Sequence, residues 1–77
     1  MEDNILMYAK KNNKLLLVKI SGRNENPKYF KMTEKELRDS IKRHCVFYSA
    51  MKVSETCSDV ETTIRLSNGI QFDVVIY

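Results

Sequence analysis

Few side chains here could do chemistry. The chain has one histidine, His44, beside one of its two cysteines, Cys45; the other thiol is Cys57. A nucleophilic dyad needs the base to face the nucleophile. Neighbours on a helix point about 100° apart, so His44 and Cys45 make a poor dyad and read as a rim histidine beside a core cysteine. A structural zinc site needs about four ligands with close pairing. Cys45 and Cys57 are not closely paired, and one histidine cannot complete the set. Asp59 and Glu61 are the nearest thing to a carboxylate pair, and they would share one strand face, as many solvated carboxylates do. The two glycines, Gly22 and Gly69, each have a turn to make, so there is no phosphate-binding glycine loop. The expectation is no enzyme, no metal and no cofactor.

The positive side chains are more informative. Lys35, Arg38 and Lys42 recur at i, i+3 and i+7, with Arg43 beside them. On a helix these form a stripe able to touch nucleic-acid phosphates or an acidic protein. The competing reading is an ordinary solvated face balanced by Glu34 and Asp39. A second cluster, Lys10, Lys11 and Lys14, falls at a predicted hairpin tip, where lysines discourage edge-to-edge pairing.

These residues must be positioned by a small scaffold. Seventy-seven residues make one domain with a thin core, burying roughly 60–65% of the unfolded surface. Hydrophobic residues at 43% and charged residues at 30% are those of a folded protein, not a disordered one. No apolar run approaches the roughly 20 residues that cross a bilayer. The acidic start Met1-Glu2-Asp3-Asn4 is unlike a secretory signal. Two cysteines are too few for a disulfide scaffold. They read as free thiols in a reducing, cytoplasmic setting, with a single bridge as the alternative.

The expected fold is α+β: a mainly antiparallel sheet of four to five strands with one helix on one face, in the order β-β-α-β-β-β. If the helix runs on, the order is β-β-α-β-β. Ile5, Met7 and Ala9 alternate, as do Leu16, Val18 and Ile20, and Asn12-Asn13 suits a tight turn. The first hairpin is therefore placed there. Its second face carries Leu6, Tyr8, Leu15 and Leu17, which calls for a cover, either from the chain itself or from a partner. Ser21 to Lys31, broken by Gly22, Asn24, Asn26 and Pro27, reads as the longest loop. Thr33 and Glu36 form a capping box, with Met32 and Leu37 as its hydrophobic staple. The helix is expected to end near Cys45, or near Ala50 in the alternative. Val46 to Ser54 then reads as a strand and Ser54 to Ser58 as a turn. In the last hairpin, a three-residue loop Ser67-Asn68-Gly69 pairs Leu66 with Ile70 and Ile64 with Phe72, provided Gly69 supplies a left-handed residue.

The leading functional expectation is a small binding protein that occupies a surface of a larger macromolecule, as an adaptor or inhibitor, through Leu6, Tyr8, Leu15 and Leu17. Compact chains of this style are frequent among phage and mobile-element accessory factors, including anti-defence proteins. The alternatives are nucleic-acid binding through Lys35, Arg38, Lys42 and Arg43, and a homodimer with a structural role.

Overall fold

Asn4 accepts a hydrogen bond from the Met7 backbone N–H and so caps a short helix, α1 (Ile5–Asn12). The computed structural model describes residues 4–77, and of Glu25 the backbone only. The acidic start at Met1, Glu2 and Asp3 lies outside the described residues. After α1 come β1 (Leu16–Gly22), β2 (Glu25–Met32), α2 (Glu34–Phe47), β3 (Lys52–Cys57), β4 (Thr62–Leu66) and β5 (Gln71–Ile76). The five strands form one antiparallel sheet in the order β2-β1-β5-β4-β3. The class is α+β, with two helices rather than one, in the order α-β-β-α-β-β-β.

The first expected hairpin does not form. Its first strand is α1, because Ile5, Leu6 and Ala9 fall on one helical face and all three are buried. Asn13 does take positive φ (52°), but as the left-handed C-cap of α1, with its N–H donating to the Ala9 carbonyl. The expected long loop is instead the second half of a hairpin. Arg23 and Asn24 both have positive φ (58° and 59°), as a type I′ turn requires, and they join β1 to β2. Pro27 is tolerated because β2 is an edge strand, where a missing N–H costs no ladder bond.

The capping box forms as expected. Glu36 N–H donates to Thr33 Oγ1 at 3.2 Å, and Thr33 N–H donates to Glu36 Oε1 at 2.8 Å. The helix runs on to Phe47, and the next strand starts at Lys52, so the expected strand from Val46 and the turn from Ser54 are both displaced. Val53 is an extra residue in β3, since Lys52 faces Leu66 and Ser54 faces Arg65. In the last hairpin Ile64 faces Phe72, Leu66 N–H donates to Ile70 O, and Gly69 has φ of 92°, all as expected.

Leu16, Val18, Ile64, Leu66, Phe72 and Val74 project to one sheet face and are buried there with Ile5, Leu6, Ala9 and Leu37 from the helices. Helix α1 packs against α2 and β5, and α2 against β2. The other face carries Leu17, Lys19, Tyr29, Thr63, Asp73 and Val75, and among the described residues no helix covers it. At one end of the sheet the two tight turns touch. A Cβ on Gly22 (φ 113°) would lie 2.3 Å from the Gly69 carbonyl oxygen, so no side chain fits there.

Candidate functional site

The four apolar residues expected to share an outer face are dispersed. Leu6 is buried in the core. Tyr8 lies on the exposed side of α1, Leu15 precedes β1, and Leu17 is half-buried on the open sheet face. The reason is the helical state of α1, which turns Leu6 and Tyr8 away from each other, so that Leu17 faces Lys31 of β2 and Val75 of β5 instead, and Leu15 O accepts from Tyr77 N–H.

The basic residues, by contrast, are gathered. Lys35, Arg38 and Lys42 form one wall of a groove of about 530 Å³ between α1 and α2, and Lys10 and Lys14 form the other. Two of the three lysines expected to guard a hairpin tip, Lys10 and Lys14, thus join the stripe on α2, and Lys11 does not line the groove. Glu34 is nearly buried at the base of the groove and binds the Arg38 guanidinium one turn along. Arg43 is not part of this wall. It lines a shallow depression of about 410 Å³ on another side of α2 with Lys42, Val46 and Phe47.

That depression marks a surface not anticipated from the pattern. Val46 is 82% exposed, Phe47 79%, Met51 69% and Val53 61%. Val46 and Phe47 are β-formers, and in a strand one of two neighbours faces the core, so the pattern alone does not mark both as exposed. As the end of a helix they stand clear of the sheet, with no glycine stop behind them. Ser49 makes the turn with φ of 51°, and the Ala50 N–H donates to Cys45 O. The Phe47 and Tyr48 rings meet edge to face at 4.8 Å. Lys52 and Glu55 pair at 3.0 Å along β3, and this bond holds the Glu55 carboxyl below its ordinary pKa against the opposing effect of burial.

His44 and Cys45 diverge. Cys45 packs against the core, while His44 stands edge-on to Phe72 at 5.2 Å and lines a cleft of about 200 Å³ with Arg23, Lys28 and Tyr48. Its Nδ1 lies 3.0 Å from the Ser40 carbonyl oxygen, which can only accept, so that nitrogen carries a proton. Arg23 stacks over the Tyr48 ring at 4.6 Å. Cys45 and Cys57 are both free thiols. Among the described residues no group of three or more His, Cys, Asp or Glu side chains could hold a metal, and no helix is long and apolar enough to cross a membrane.

The described residues thus present an apolar patch at the end of α2 and a concentration of positive charge in the groove. The chain matches no protein-family model, no curated protein and no solved structure.

Proposed function

We propose that this chain is a non-enzymatic binding protein that acts by covering a surface of a larger protein, with its contact centred on the end of α2. One observation carries this reading: four large apolar side chains between residues 46 and 53 lie more than half exposed. Burying a side chain of this kind is worth roughly 1.5–3 kcal/mol, and folding alone does not collect it at Val46, Phe47, Met51 or Val53. Lys42 and Arg43 flank Val46 and Phe47. An apolar centre with a charged rim is the anatomy of a protein interface. The complementary partner presents an apolar patch bordered by carboxylates.

The open sheet face is the weaker rival. It also exposes Tyr29, Val75 and Tyr77. There Leu17 faces Val75, but charges flank the apolar residues: Lys31 lies on the other side of Leu17, Lys19 faces Asp73 across the β1–β5 ladder, and the Lys31 ammonium covers the Tyr77 ring at 4.1 Å. That is the make-up of a solvated face.

The test is capture from the source cell, with nuclease present, using the wild type and a V46S/F47S variant. One protein recovered by the wild type and lost with the folded variant is the expected result. Equal capture by both overturns the reading. So does sedimentation that shows only a self-associated dimer dissociated by the same pair of changes, since the patch would then serve a second copy.

A further inference from the structure

We infer that the groove between α1 and α2 binds the phosphate backbone of double-helical nucleic acid, without regard to sequence. It is a second site, on a different part of α2 from Val46 and Phe47.

The charge is concentrated there. Five cations, Lys10, Lys14, Lys35, Arg38 and Lys42, line the groove with two carboxylates, Glu34 and Asp39. The excess of three positive charges equals the +3 of the whole chain, so the rest of the molecule is balanced. Arg38 is engaged by Glu34, but Lys10, Lys14, Lys35 and Lys42 form no salt bridge among the described residues. Lys10 lies in the last turn of α1, where a cation complements the helix dipole. That role does not explain Lys14, which lies beyond the helix, nor Lys35 and Lys42, which belong to α2.

The lining also selects among anionic partners. A protein partner needs apolar or aromatic anchors, and a single strand needs aromatic platforms for its bases. The groove has no aromatic residue, and Ala9 is its one small apolar one. What remains is repeated positive charge between two helices, suited to a regular line of phosphates. Neutralising phosphates releases condensed counterions, which favours binding and makes it depend on salt.

Fluorescence anisotropy with short labelled DNA duplexes of two unrelated sequences, titrated from about 50 to about 200 mM salt, tests this directly. Four lysine–phosphate contacts predict a slope of log affinity against log salt of about −3.6, the same for both sequences. A K14A/K35A variant should lose about two units of slope. A K19A/K28A variant removes equal charge outside the groove and should keep the wild-type slope. Circular dichroism melts confirm that both variants fold. Absence of binding at the lowest salt overturns the site. So does an equal loss in the two variants, which would mean that net charge alone attracts the duplex. Stronger binding to a poly-glutamate peptide or to single-stranded DNA would reassign the groove to that partner and equally overturn the proposal. The protein-contact reading is probed by V46S/F47S, so failure of one leaves the other standing.

Discussion

At its first turn α2 is fastened twice, by the reciprocal Thr33–Glu36 bonds and by Leu37, which is fully buried. At its last turn the same helix is closed by backbone bonds around the left-handed Ser49, with Ala50 N–H on Cys45 O and Ser49 N–H on Val46 O, but Val46 and Phe47 stand in solvent. The buried positions of α2 are Glu34, Leu37 and Ser40, all in its first half. The difference separates two jobs along one helix. The first half anchors the helix to the core, and its outer side lines the basic groove. The last turn meets the core through His44 and Cys45, while Val46 and Phe47 stay exposed.

Replacing Leu37 by alanine should break this division most severely. The side chain is wholly enclosed, and truncation should cost about 2–5 kcal/mol by lost transfer energy and a residual cavity. Urea denaturation measures it. A loss no larger than that of a surface change would mean that the anchor lies elsewhere.

Thr33→Ala comes next, at about 1 kcal/mol for a lost N-cap, read by the same method. It also exposes a pH effect. The Thr33 backbone N–H donating to Glu36 holds that carboxyl below its ordinary value of 4.5. A lowered folded-state pKa stabilises the fold above the unfolded value, and this contribution fades as pH falls through the folded one. Glu36→Gln keeps an acceptor without a charge. The melting temperature of that variant should therefore fall less steeply below about pH 4.5 than the wild type's. Parallel curves would show that the carboxylate adds nothing to the cap.

Phe47→Ser should have the smallest effect on stability, within about ±0.5 kcal/mol, since the ring is 79% exposed. Its effect should appear in partner capture instead. A large drop in the denaturation midpoint would place Phe47 in the core's service and erase the contrast between the two ends.

Some of this was legible in the residues, and some was misread for definable reasons. The alternation of Ile5, Met7 and Ala9 fits a strand, while Ile5, Leu6 and Ala9 fit a helix, and a segment of eight residues contains too few periods to decide. Pro27 argues against a central strand but not against an edge strand, and a single sequence does not say where the edge lies. The basic stripe was visible as spacing along α2. That Lys10 and Lys14 stand opposite it was not, because their position depends on residues 5–12 being a helix docked on α2 rather than a strand.

The sequence by itself determined features closed by neighbours in the chain. These are the Thr33–Glu36 cap, whose bonds span three residues, and the Gly69 turn, whose register follows from which residue can take positive φ. Only the tertiary structure decided that residues 5–12 are a helix, that β2 is an edge, and that two lysine clusters share a groove. Those outcomes depend on which apolar face finds a surface to bury against. That surface is assembled from distant segments: β1 pairs with β5, and α1 lies against α2.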